Sequence, residues 1–130
     1  MTTPLQVLIV DDSPIVRERL ARLLDDVPHS QVIGHAVRAL DAIEQIRHLR
    51  PDALILDISM PEGSGMYVLE AVKQESPKTR VLMLTNFASD QYREKCRQLG
   101  ADAFLDKSTE FENIPRVLEA WNEARNAEAA

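Results

Sequence analysis

Three short runs, VLIV at residues 7–10, ALIL at 53–56 and VLML at 81–84, each hold four apolar residues with nothing polar interleaved. A strand with one wet face alternates apolar and polar residues, so runs this short and uniform read as strands covered on both faces. Residues 6–10, 32–36, 53–56, 81–84 and 103–105 make five strand candidates, with helix-periodic stretches between them. Strands that alternate with helices are joined by right-handed crossovers, which gives a parallel sheet with helices on both faces. The expected fold is therefore a doubly wound α/β sandwich. At 130 residues the chain fits one domain around one core, with residues 5–123 as its body. Residues 124–130 read as a helix end or a frayed terminus.

The helices carry their own punctuation. The first should turn Val16, Leu20, Leu23, Leu24 and Val27 inward, with Ser13 as N-cap and Pro14 in the first helical position. Its arginines, Arg17, Arg19 and Arg22, read as solvated surface. The second stripe, Ala39, Ile43, Ile46 and Leu49, stops before Pro51. A third helix is expected from about Gly65 to Ser76, with Leu69 and Val72 inward. The fourth, residues 90–99, offers only Tyr92, Cys96 and Leu99 as an apolar stripe before Gly100 ends it. Thr109 and Glu112 have capping-box spacing, but Pro115 inside such a helix would forfeit a backbone hydrogen bond. A short turn at 110–113, then a helix from about Ile114, resolves the conflict and turns Ile114, Val117, Leu118 and Trp121 inward.

In sheets of this kind, ligands bind beyond the carboxyl ends of the strands. The first candidate strand ends in Asp11-Asp12, the third in Asp57, the fourth in Thr85, and the fifth delivers Lys107 two residues after Leu105. Adjacent like charges are costly: two of them about 4 Å apart repel by roughly 4 kcal/mol at an effective dielectric of 20. Three carboxylates at one sheet edge therefore need cations. Lys107 supplies one positive charge, and an all-oxygen set without His or Cys points to Mg²⁺, with Mn²⁺ possible, for the rest. A hard cation, a carboxylate, a hydroxyl and a lysine suit in-line phosphoryl transfer, with the carboxylate able to accept the group covalently.

The net charge of −6 argues against nucleic acid, which needs a basic surface. The single cysteine, Cys96, forms no internal disulfide, so a reducing cytoplasm is the expected home. The opening MTTPLQ has no signal-peptide pattern, and no apolar run approaches the ~20 residues of a membrane span. Cys96 and Trp121 read as packing residues, and His29, His35 and His48 show no ligand spacing.

The segments DDSPIVRERL, LILDISMPEGSGMYVL, VLMLTNF and GADAFLDKS occur in the order and at the spacing of response-regulator receiver domains, the phosphoacceptor half of bacterial two-component signalling. The chain resembles that family over essentially all of residues 1–130. The resemblance implies a flavodoxin-like (βα)5 sandwich with five parallel strands in the order 2-1-3-4-5. It implies that Asp57 is phosphorylated, that Asp12 and Asp11 bind Mg²⁺ (Asp11 mainly through water), and that Asp57 and the backbone carbonyl of Ser59 complete the protein ligands. It makes Lys107 and Thr85 the phosphoryl-binding pair and Phe104 the aromatic switch. It places Pro61, Gly63 and Gly65 in the mobile loop after the phosphorylation site. Ser59, Asn86 and Phe87 occupy positions that tune hydrolysis of the acyl phosphate, and Ser108 stands where many relatives have proline. The implied partners are a histidine kinase or histidine phosphotransfer protein and a downstream protein target. That target would be met on the fourth helix, fifth strand and fifth helix, while the first helix helps dock the kinase.

On this reading the protein is a stand-alone, phosphorylated signalling protein rather than a turnover enzyme, with no output domain. Three alternatives stay open. It could be a receiver cut from a longer DNA-binding regulator, an aspartate-nucleophile phosphohydrolase, or a receiver fold working without phosphorylation. The phosphohydrolase pattern wants a second acid two residues after the nucleophile, where this chain has Ser59. The complete acidic set argues against the last.

Overall fold

Strands β1 (Leu5–Val10), β2 (Ser30–Ala36), β3 (Ala53–Leu56), β4 (Arg80–Thr85) and β5 (Ala103–Asp106) form one parallel sheet in the order β2-β1-β3-β4-β5. This is a computed structural model, and it describes residues 3–58, 65–86 and 88–129. Helices α1 (Pro14–Asp25), α2 (Ala39–Leu49), α3 (Gly65–Glu75), α4 (Asp90–Gln98) and α5 (Ile114–Ala129) connect and cover the strands. All five expected strands and all five helices are present, with the expected order.

The uniform apolar runs are buried for the reason inferred. In β3 all four residues are buried, and Val7, Leu8, Val10, Leu54, Leu56, Val81, Leu82 and Met83 are fully so. Alternate residues feed two separate cores. Leu8, Val10, Leu54, Leu56, Val81 and Met83 pack against α2, α3 and α4. Val7, Ile9, Ala53, Ile55, Leu82 and Leu84 pack against α1 and α5. Each large aliphatic side chain buried this way contributes about 1.5–3 kcal/mol of transfer free energy.

The helix ends follow local chemistry. The Ser13 hydroxyl accepts the Val16 N–H at 3.3 Å, with Pro14 in the first turn. A 3-10 turn at Phe111–Asn113 precedes α5, so Pro115 falls in the first turn where no intrahelical N–H is needed. Ile114, Leu118 and Trp121 are buried, Val117 partly so.

Several sequence expectations are corrected by packing. Leu49 is 40% exposed, because the chain leaves α2 there: Arg50 takes a left-handed backbone (φ 47°) with its N–H on the Ile46 carbonyl. The inner stripe of α2 is instead Ala39, Ala42, Ile43 and Ile46. Tyr92 also faces solvent, so within α4 only Cys96 is buried. Arg17 and Arg19 are not merely solvated. Arg17 donates to the Asp11 carbonyl at 3.0 Å, and the Arg19 guanidinium sits 4.0 Å from the centre of the Phe111 ring. Arg125, near the end of the chain, is held as well. Arg125 bonds Asp52 at 3.1 Å, the Pro4 carbonyl at 3.2 Å and the Thr3 carbonyl, tying the end of α5 to the amino-terminal edge of the sheet.

Cys96 is fully buried against the α3 side of the core, and burial pushes its thiol up from the ordinary range. The thiolate is the reacting form, so a thiol-specific reagent at pH 8 is expected to label native protein at least tenfold more slowly than protein unfolded in guanidinium. Equal labelling rates would mean that α4 is not seated on the core as described.

Candidate functional site

The carboxyl edge of the sheet assembles the expected residues. The Asp11 N–H bonds the Ala36 carbonyl and the Asp57 N–H bonds the Val10 carbonyl, so both aspartates are fixed by sheet-like hydrogen bonds just past their strands. Thr85 closes β4 opposite Asp106, and the next residue, Lys107, donates its N–H to the Thr85 carbonyl at 2.9 Å. Backbone pairing thus brings four residues from four strand ends to one edge of the sheet.

The Lys107 ammonium lies 2.8 Å from Asp11 Oδ2 and 3.3 Å from Asp57 Oδ2. Asp11, Asp57 and Thr85 are buried. Asp11 Oδ1 also accepts the Ser13 N–H at 2.8 Å, so each of its carboxylate oxygens has a donor. Asp12 is exposed. The adjacent acidic pair is therefore tolerated in two different ways: one carboxylate is buried against an ammonium group, the other is left in water. Burial opposes the charge on Lys107, but the Asp11 hydrogen bond and the charges of Asp57 and Asp11 outweigh it, and its pKa is raised.

One carboxylate oxygen from each of Asp11, Asp12 and Asp57 falls within 4.8 Å of the others. Three carboxylates and one ammonium group leave two formal negative charges, the complement of a divalent cation. The donors are all oxygen, and the exposed side at Asp12 leaves room for water. That set fits Mg²⁺, which keeps several waters and takes one or two carboxylates together with phosphate oxygens.

Gly65 has a role that composition could not reveal. Its N–H bonds the Ile58 carbonyl at 2.5 Å, and a Cβ at this position would stand 1.8 Å from the Asp57 carbonyl oxygen. The first residue of α3 is thus pressed directly on the backbone of Asp57. Phe104 is buried on the α4 side of the sheet, with Arg93 donating to its carbonyl at 3.0 Å and lying 4.7 Å from its ring centre. Asn86 is exposed, and the Ser108 hydroxyl lies 3.5 Å from its Oδ1. The peptide after Lys107 is trans. Ser59, Pro61, Gly63 and Phe87 lie outside the described residues.

Arg17 and Ser13, which anchor Asp11, were legible only in part. Ser13 is visible as a cap, whereas nothing in the spacing shows that Arg17 reaches back to the Asp11 carbonyl.

Known proteins are similar to this chain in sequence and fold. The chain is 36% identical over 115 residues to a protein-glutamate methylesterase/protein-glutamine glutaminase of Methanospirillum hungatei, covering 87% of this chain and 34% of that protein. It is 30% identical over 115 residues to the response regulator protein VraR of Staphylococcus saprophyticus, covering 88% of this chain and 55% of that protein. The chain therefore spans between a third and about half the length of these curated relatives. Among solved structures, the response regulator domain of Thermotoga maritima CheB superposes with a TM-score of 0.83 at 31% identity, covering 95% of this chain and 97% of that one. The response regulator receiver domain model matches residues 7–119. With the strand order, the acidic edge and the family match in agreement over nearly the whole chain, this protein belongs to the response regulator receiver domain family.

Proposed function

We propose that this chain is a phosphoacceptor signalling module in which Asp57 takes a phosphoryl group from a phosphohistidine donor. The observation that carries the reading is the contact of one ammonium group, Lys107, with both Asp11 and Asp57 at the carboxyl edge of the sheet. An Asp57 carboxylate oxygen forms a new P–O bond as the donor's P–N bond breaks, and the imidazole leaves with the electron pair. Asp11, Asp12, Asp57 and the Ser59 carbonyl would hold Mg²⁺, or Mn²⁺ in its place. When bound, the cation neutralises charge on the transferring oxygens. Lys107 is placed to meet the same oxygens from the other side, and Thr85 supplies a hydroxyl donor. The chain's own residues thus position and neutralise, which is most of what phosphoryl transfer requires.

The output is by protein contact. A phosphoryl group adds nearly two negative charges and three acceptor oxygens next to Thr85 and Lys107. Phe104 is the proposed switch residue, and Arg93 links its carbonyl and ring to α4 and, at 3.5 Å, to Glu110 beyond β5. Only one residue of α4 is buried, which makes it a low-stability element suited to repacking. The proposed effector surface is α4-β5-α5, whether the effector is a separate protein or covalently joined. Phe87, Ser59 and Asn86 are proposed to tune hydrolysis of the acyl phosphate, with Phe87 shielding it. On this reading the module turns over nothing but its own phosphoryl group. Among the described residues no helix is long and apolar enough to cross a membrane, which accords with a cytoplasmic site of action.

Intact mass after incubation with a small acyl phosphate and Mg²⁺ tests the proposal. One added phosphoryl group is expected, absent in Asp57→Asn and without Mg²⁺. Phosphorylation that persists in Asp57→Asn would overturn the assignment.

A further inference from the structure

Leu40 and Tyr67, 67% and 54% exposed, line a single groove between α2 and α3, away from the α4-β5-α5 surface. Both sit near the first turn of their helices, with Ile43 and Ala71 also lining the groove. Its volume is about 730 Å³. At the far end Arg47 donates a forked pair to Glu75, Nε to Oε2 at 3.0 Å and Nη2 to Oε1 at 2.5 Å, which bridges α2 and α3. Apart from that pair, the charged rim is Glu44 and Glu70, with His48 4.0 Å from Glu44.

We propose that this groove docks a basic amphipathic helix of a partner protein. An apolar residue of that helix seats between Leu40 and Tyr67, and its lysines or arginines meet Glu44 and Glu70. Two packed helices present a furrow that a third fills through apolar residues at helical spacing. Exposed apolar residues gathered in one place and rimmed by polar ones mark such sites. Charge selects the occupant. The rim carries three glutamates against one arginine, and the whole chain carries −6, so a second copy would bring like charge against like. Anionic lipid and nucleic acid are disfavoured on the same ground. The proposal does not depend on phosphoryl transfer, because none of these residues belongs to the acidic edge.

The test is an amide chemical-shift titration of the full chain with a synthetic leucine/lysine amphipathic helix, and with its leucine/glutamate counterpart. Shifts are expected along α2 and the start of α3 with the basic helix alone, weakening as salt rises. Leu40→Asp, a change at an exposed site, should abolish binding. Glu70→Gln and Glu44→Gln should each weaken it by about fivefold, the scale of one exposed charge contact. Equal binding of the acidic helix, no binding of the basic one, shifts confined to the Asp11–Asp57 edge, or indifference to Leu40→Asp would overturn the proposal. A concentration-dependent dimer dissolved by Leu40→Asp would overturn it too, by making the occupant a second copy.

Discussion

Gly65→Ala is expected to destabilise the protein by about 3 kcal/mol, the upper range for forcing an atom into a filled space. Helix propensity argues the other way, since alanine inside a helix is favoured over glycine by about 1 kcal/mol. The tertiary contact wins because the new Cβ would lie 1.8 Å from the Asp57 carbonyl oxygen, with the Ile58 Cα at 2.9 Å. These are backbone atoms, tied into the sheet by the Asp57 N–H bond to Val10, so no side-chain rotation relieves the clash. Urea denaturation measures the change. A variant as stable as the parent would mean that α3 does not rest on the Asp57 backbone. On the proposed function, any movement of Asp57 should also slow acceptance of a phosphoryl group, so a fall in the phosphorylation rate is expected even at temperatures where the variant stays folded.

Lys107→Met should have the second-largest effect. It keeps the apolar stem and removes, among the described residues, the ammonium group that touches both Asp11 and Asp57, leaving two buried carboxylates without that cation. Stripping the partner from a buried charge costs several kcal/mol, reduced here by the open side at Asp12, so a loss of about 2–3 kcal/mol at neutral pH is expected. The pH dependence follows from the raised lysine pKa, which burial opposes and the Asp11 and Asp57 contacts produce. A cation with a raised folded pKa contributes stability that is fully present below its unfolded value, near 10.4, and is lost as pH rises through the folded one. The gap between parent and variant should therefore close above that value. Thermal melts across pH check this alkaline limit, and Mg²⁺ should raise the variant's midpoint more than the parent's. A gap that does not change with pH would show that Lys107 acts through packing and not through charge.

Much of the site was legible because its parts are strand-terminal. Asp11, Asp57, Thr85 and Lys107 each follow an apolar run, and parallel strands in register bring such ends together without any help from side chains. Residues whose partners are distant in the chain were not legible. Arg17 and Arg19 look like surface until Asp11 and Phe111 are seen beneath them, and Arg125 looks like a tail residue until Asp52 and Pro4 are beside it. The α2–α3 groove belongs to the same class, since Leu40 and Tyr67 lie on different helices whose approach no local pattern records.

The amino-acid order alone determined the five strands, the helix starts at Pro14 and Ile114, and which chemistry collects at one edge of the sheet. Period, capping and proline rules act over a few residues and need no third dimension. Tertiary structure alone decided which aspartate is buried against the lysine and which is left in water, why glycine stands at 65, and which apolar residues of α2 and α4 face out. Those outcomes depend on contacts between residues far apart in sequence, where shape and charge in three dimensions override local preference.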